Sequence, residues 1–220
     1  MDAAFWHERW ETGRIAFHEA EGNALFAAHF SALKLSAGAR VFVPLCGKTK
    51  DIGWLLSQGY RVCAVELSQL AIDQLFEELE LIPNITQTGE LLHYRAANID
   101  VFVGDAFALT ADILGPVDAV YDRAALVALP FEMRAGYGRL LNTVTRGASQ
   151  LLLTFIYDQS QLDGPPFSVD DAEVARVYGA HYTIMKSASV PLAGGLRGFH
   201  AIEEVVWRLE AIDSGHSTDT

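Results

Sequence analysis

Cysteine is scarce. The 220 residues hold only Cys46 and Cys63, each in an apolar stretch, and two thiols cannot build a disulfide framework. Both read as reduced, which points to a cytoplasmic protein. Long hydrophobic runs are also lacking. The longest clean apolar stretch, residues 151–157, is interrupted by Thr154, far short of the ~20 residues a spanning helix needs. No basic region leads into an apolar run between Met1 and Trp10, so this segment does not read as a secretory signal. Positive charge is the third shortage. Lys and Arg total 16 against 28 Asp and Glu, leaving a formal net charge of −12. Phosphate backbones and anionic membrane surfaces are bound through basic stripes, so neither is an expected partner. H-E-x-x-H is absent, and His7, His18 and His29 recur at eleven-residue intervals that match no ligand spacing. No metal is assigned.

Half of the residues are hydrophobic and a tenth aromatic, enough to fill a sizeable core. One domain over residues 1–212 is expected, followed by a polar, disordered tail at 213–220. Short apolar runs rich in β-branched residues alternate with stretches of helical period. Strands are expected at Ala39–Leu45, Arg61–Val65, Ile99–Val103, Val117–Tyr121 and Gln150–Tyr157. Between them, Ile52, Leu55 and Leu56 share one helical face, as do Ile72, Leu75, Phe76 and Leu79 behind a Ser68 cap. Pro130 opens a further helix, and Asp170 or Asp171 another that Gly179 closes. This alternation predicts an α/β fold with a doubly wound, mostly parallel sheet. Two late strands, His181–Lys186 and Glu203–Leu209, have only a loop between them and read as an antiparallel hairpin at one edge. Two helical stretches before the sheet, around Phe5–Glu11 and Ala24–Leu33, are placed over the ligand crevice.

In such a sheet the ligand lies at the carboxyl ends of the strands, where the winding reverses. The turn Pro44-Leu45-Cys46-Gly47-Lys48-Thr49 follows the first strand. It is not a phosphate loop: Phe42 stands where that motif needs its first glycine, and Pro44 removes a backbone donor. The dinucleotide fingerprint G-x-G-x-x-G is missing as well. Glu66 ends the second strand, where related folds place an acid on ribose hydroxyls; a surface glutamate closing a strand is the plain alternative. Asp105 follows the third strand, placed to accept from an adenine amino group with Phe107 nearby, or to act as a turn aspartate. Together Glu66, Asp105, Asp122 and Asp158 read as a carboxylate-lined crevice mouth. An absent phosphate cradle, a ribose acid and an adenine acid point to S-adenosylmethionine, a phosphate-free cation.

These segments are specific enough to mark a family. Phe5-Trp6, Trp10, Thr12-Gly13-Arg14 and Phe17-His18, then Val43-Pro44-Leu45-Cys46-Gly47-Lys48, Glu66-Leu67-Ser68, the run from Tyr121 through Asp122-Arg123 to Ala128, and Gly164-Pro165-Pro166-Phe167 together resemble the thiopurine S-methyltransferase family in its bacterial form, along nearly the whole chain. The resemblance implies a Rossmann-like class I methyltransferase fold and S-adenosylmethionine as cofactor. It implies that Trp10, Leu45, Glu66 and Arg123 contact S-adenosylmethionine, with Asp105 and Ala106 near its adenine. It places Phe17 beside the acceptor, with Arg123 and Arg197 reaching toward the acceptor ring, and the glycines from Leu192 to Gly198 suggest a mobile flap. The implied partner is a small-molecule thiol, met by a monomer. The implied chemistry is methyl transfer to thiopurines and other aromatic thiols, and to selenium or tellurium compounds as detoxification. In-line transfer to an ionised thiol needs no strong base, so no catalytic residue is assigned beyond Asp158 as a candidate. A small-molecule O- or N-methyltransferase, and a nucleotide-binding module without catalysis, remain the alternatives.

Overall fold

A computed structural model describes residues 3–212; the tail at 213–220 lies outside the described residues. Among the described residues nine strands form one sheet. Its centre is parallel: β1 (Arg40–Pro44), β2 (Arg61–Glu66), β5 (Ile99–Val103), β6 (Ala119–Arg123) and β7 (Ser149–Ile156), in the order β5-β2-β1-β6-β7. The winding reverses between β1 and β6, which opens a crevice at their carboxyl ends. β8 (Tyr182–Pro191) and β9 (Glu203–Ala211) form the expected antiparallel hairpin, with β9 inserted against β7.

Side-chain alternation along these strands fills two layers. On β1, Phe42 faces one layer while Val41 and Val43 face the other; on β2, Cys63 and Val65 oppose Val62 and Ala64. The first layer is closed by α6 (Phe131–Thr145) and α7 (Asp171–Tyr178), through Tyr137, Leu141, Val174 and Val177. The second is closed by α2 (Ala24–His29), α3 (Lys50–Ser57) and α4 (Gln69–Glu78), through Phe26, Ile52, Leu55, Ile72 and Leu75. Ser68 caps α4, its hydroxyl accepting from the Ala71 amide.

Three expectations change. The pair β3 (Asn84–Thr88) and β4 (Leu91–Ala96) is an unanticipated antiparallel extension beyond β5; β3 is largely exposed and carries no apolar alternation to mark it. The second N-terminal helical stretch does not cover the crevice. Asn23 caps α2, and Phe26, 1 % exposed, stacks on Tyr121 of β6 with ring centroids 4.0 Å apart, so α2 closes the second core layer. β6 also runs two residues further than expected, through Arg123. Asp122 is therefore a strand residue, and period-two alternation turns it to the same layer as Val120, beneath α6.

α6 and α7 meet backbone to side chain at Gly138, where an added Cβ would lie 2.5 Å from Val177 Cγ1 and 3.0 Å from its carbonyl oxygen. At Gly136 an added Cβ meets only Phe107 Cε1, at 3.8 Å. Gly138→Ala is expected to lower stability by about 1–3 kcal/mol through overpacking. Gly136→Ala, by helix propensity, is expected to be neutral or to add up to about 1 kcal/mol. Urea unfolding of the two variants separates the effects.

Candidate active site

The turn after β1 sits on a single carboxylate. Glu66, the last residue of β2, is 7 % exposed. Its Oε2 accepts from the Gly47 amide at 2.9 Å and its Oε1 from the Ser68 amide at 2.9 Å. Burial raises the carboxyl pKa, while these two donors lower it. The turn also carries strain: Leu45 has φ +47, a left-handed conformation that L residues avoid. Ala124, at the end of neighbouring β6, has φ +61. Both residues line the floor of a cleft of about 400 Å³ that lies over the sheet's reversal point.

The roof is aromatic. α1 (Ala3–Glu11) carries Trp6 and Trp10 one turn apart, and both rings meet Phe17 edge-on, with centroids 5.8 and 5.6 Å away. Trp10 lies so close over Gly47 that a Cβ there would stand 2.9 Å from Cζ2 of the indole. Gly47 is thus a steric requirement of the roof. A strap from Leu192 to Arg197 closes another side, tied down by the Arg197 guanidinium, which donates to the Pro165 carbonyl at 2.9 Å.

Charge in the cleft differs from the expectation of a carboxylate-lined mouth. Of the four acids, Glu66 alone lines it. Asp105 is exposed and accepts from the Phe107 amide, capping a short 3-10 turn. Ala106 is buried beside it and does not reach the cleft lining. Asp158 is likewise exposed, accepting from the Ser160 amide. Asp122 is fully buried under α6, where it accepts from the Tyr137 hydroxyl at 2.8 Å and the Leu126 amide at 3.2 Å. Cations replace them: Arg9, Lys48, Arg123 and Arg197 line the cleft with Glu19 and Glu66. Lys48 pairs with Glu78 at 2.8 Å. Arg123 does not pair with adjacent Asp122; it is ion-paired with Glu19 and donates to the Phe17 carbonyl at 2.8 Å. His18 also lines the cleft, its pKa lowered by burial and then by the Lys48 ammonium.

The structure thus brings Trp10, Phe17, Leu45, Glu66, Arg123 and Arg197 together and leaves Asp105, Ala106 and Asp158 outside the cleft lining. Arg9 and Glu19 are cleft residues that went unread. The signal lay in the spacing: Arg9 stands between the two tryptophans, and Glu19 two residues after Phe17. Among the described residues no group of three or more His, Cys, Asp or Glu is placed to hold a metal ion. No helix among them is long and apolar enough to cross a membrane.

A parallel sheet reversing between β1 and β6 with an acid at the end of β2 is the Rossmann-like arrangement on which class I S-adenosylmethionine-dependent methyltransferases are built. Solved structures agree on the fold. An N1-methyltransferase from Burkholderia thailandensis, solved with 1,6-didemethyltoxoflavin and S-adenosylhomocysteine, matches 96 % of this chain and 87 % of its own, with TM-score 0.66 and 18 % identity. A methyltransferase from Anabaena variabilis matches 96 % and 95 %, with TM-score 0.66 and 14 % identity. The family model of thiopurine S-methyltransferase matches residues 1–211, and the chain belongs to that family. A thiopurine S-methyltransferase of Xanthobacter autotrophicus is 52 % identical over 96 % of this chain and 99 % of its own. That of Teredinibacter turnerae is 47 % identical over 95 % and 97 %. The chain is a methyltransferase that uses S-adenosylmethionine.

Burial raises the Asp122 pKa from its ordinary 3.8 to about 6, so the folded state holds the proton that the unfolded chain releases. Stability from this group is therefore full below about pH 4 and is lost as pH rises to about 6. Asp122→Asn removes that loss. Its stability relative to the parent protein is expected to rise by on the order of 1–3 kcal/mol between about pH 4 and pH 7, read by urea unfolding at both.

Proposed function

We propose that this methyltransferase acts on the sulfur of aromatic and heterocyclic thiols, thiopurines among them, with selenium or tellurium compounds as soft acceptors of the same kind in a detoxifying role. The observation that carries the reading is Arg197. It lines a cleft in a strongly acidic protein, and it donates to a neutral carbonyl, that of Pro165. A guanidinium without a counter-charge among the described residues, in a cleft also lined by the rings of Phe17 and Trp6, suits an anionic aromatic acceptor.

The residues also fit the donor. Gly47 lets the Trp10 indole close down on the turn after β1, which suits an aromatic wall beside a positive sulfur. The Glu66 carboxylate, with about four lone-pair sites, can accept from a ribose hydroxyl beside the backbone amides it already takes. In the proposal Trp10, Leu45 and Glu66 hold the donor, with Asp105 and Ala106 toward its adenine end. Phe17 and Arg197 hold the acceptor. Arg123 stands between donor and acceptor, and its grip on the Phe17 carbonyl sets the position of that ring.

S-adenosylmethionine supplies an electrophilic methyl group on a cationic sulfur. The chain's part is orientation and exclusion of water. Trp6, Trp10 and Phe17 shield the roof, and the strap shields the side, so a thiolate entering the cleft loses hydration and its charge is met by Arg197. Alignment of two reactants contributes roughly 7–11 kcal/mol in favourable cases. No protein base is required, because the acceptor enters already ionised; Glu19 is held by Arg123, Glu66 by backbone amides, and Asp158 stands outside the cleft, while the cleft-lining His18 is assigned no role.

A methyl-transfer assay across aromatic thiols, selenols and phenols tests the reading. Turnover of ionised thiols with little on phenols is expected, and phenol preference overturns it. Glu66→Ala is expected to weaken donor binding by roughly 1.5–3 kcal/mol for each hydrogen bond lost, read by isothermal titration; unchanged affinity removes the ribose assignment. Arg197→Ala is expected to raise KM for the thiol by about tenfold or more with donor affinity retained. A loss confined to donor affinity would move Arg197 to the other ligand.

A further inference from the structure

We infer that Arg9 is a second anion-binding residue for the methyl acceptor, acting with Arg197; this deepens the function proposed above and rests on its placement of Arg197. Arg9 lies on α1 between Trp6 and Trp10 and lines the cleft with both. Its guanidinium sits over the Phe5 ring, 4.6 Å from the centroid. Its Nε is shut off from solvent and has no hydrogen-bond partner among the described residues. A terminal nitrogen makes one long contact, 3.4 Å to the Arg14 carbonyl.

The other cations of the cleft are accounted for differently. Arg123 is matched by Glu19, and Lys48 by Glu78. Glu8, next in sequence to Arg9, is ion-paired with Arg14 instead. Glu66 holds two backbone amides. Among the described residues Arg9 and Arg197 are therefore the cleft guanidiniums without an ion pair. Both line the one cleft. Burial comes first among the influences that lower the Arg9 pKa, and the Arg197 charge comes second. An arginine stays protonated through such a shift, so two like charges persist on the cleft wall, Arg9 half-buried and Arg197 exposed, with neither in an ion pair among the described residues. An anion held between two such guanidiniums offsets their mutual repulsion. An aromatic thiolate meets this demand, with its charge toward the two guanidiniums and its ring against Phe17 and Trp6. The donor carries a carboxylate of its own, and that competing occupant is separated by the test.

The protein is saturated with S-adenosylhomocysteine, so that no methyl group can move, and titrated with 4-nitrothiophenolate or with its uncharged methyl thioether. Binding is followed by tryptophan fluorescence. Arg9→Met keeps the apolar stem and removes the charge; Arg9→Lys keeps a charge. Arg9→Met is expected to weaken thiolate binding about tenfold while thioether and S-adenosylhomocysteine affinities stay within about twofold, and Arg9→Lys is expected to restore most of the loss. Equal weakening of thiolate and thioether overturns the inference in favour of packing. Weakened S-adenosylhomocysteine with unchanged thiolate overturns it in favour of the donor carboxylate. An unchanged thiolate affinity, or none in the parent protein, also overturns it. Failure of the parent protein to methylate any thiol bears on the proposed function alone, because the titration involves no transfer.

Discussion

The cleft depends on the Glu66 carboxylate. It ends β2, takes the Gly47 amide of the turn after β1, and takes the Ser68 amide at the cap of α4. Two strand ends and a helix start are thereby fixed to one side chain. A buried carboxylate without donors would be costly; here each oxygen has a charge-assisted partner. The left-handed Leu45 persists only because its surroundings determine it, and the Cys46 amide bonded to the Val65 carbonyl at 3.2 Å is part of that restraint. With the turn held, Gly47 presents bare backbone to Trp10, and the roof can come down on it.

A second buried polar network ties the N-terminal segment to the sheet. The Asn23 amide donates to Asp51 at 2.8 Å, the Tyr121 hydroxyl donates to the same carboxylate at 2.8 Å, and the Asn23 side chain donates to Glu204 at 3.0 Å. Burial raises the Glu204 pKa, the Asn23 donor opposes that rise, and the nearby Glu19 charge adds to it. Glu19, in turn, holds Arg123. Residues 17–23 are therefore anchored from the β9 side and from β6 at once, which sets Phe17 beneath the tryptophans. Satisfied polar networks of this kind specify one arrangement where apolar packing alone tolerates several.

The sheet was legible because its parallel strands are short, β-branched and bounded by caps that act locally: Ser68, Asp170 and the Pro130 start all operate within a few residues. The 84–96 hairpin was not legible, since β3 buries little and β4 alternates only against partners across the sheet. Asp122 shows a different limit. Its place at a strand end could be read, but two extra residues of β6 reversed the face it presents, and only the position of Tyr137 on α6 shows where it ends. Of the site, the turn after β1, Glu66, Phe17 and Trp10 carry short motifs. Arg9 and Glu19 carry none, because whether each is paired or left unpaired is decided only by folding.

That last point explains how an acidic chain builds a cationic cleft. A net charge of −12 describes the surface as a whole, and most of that surface is far enough away to be screened at ordinary ionic strength. Within the cleft, burial and aromatic walls weaken screening, so a few local charges outweigh the distant excess. Glu19 neutralises Arg123, and Glu78 neutralises Lys48 from outside, which leaves the potential to Arg9, Arg197 and the partly committed Glu66. The remaining acid therefore lies at the β2 end, where backbone amides engage it, and the remaining positive charge lies on α1 and on the strap. Under the proposed function, a cationic donor and an anionic acceptor would be sorted by such a field to opposite ends before either is held by shape. The overall acidity serves this arrangement only weakly; the distribution of ion pairs inside the cleft produces it.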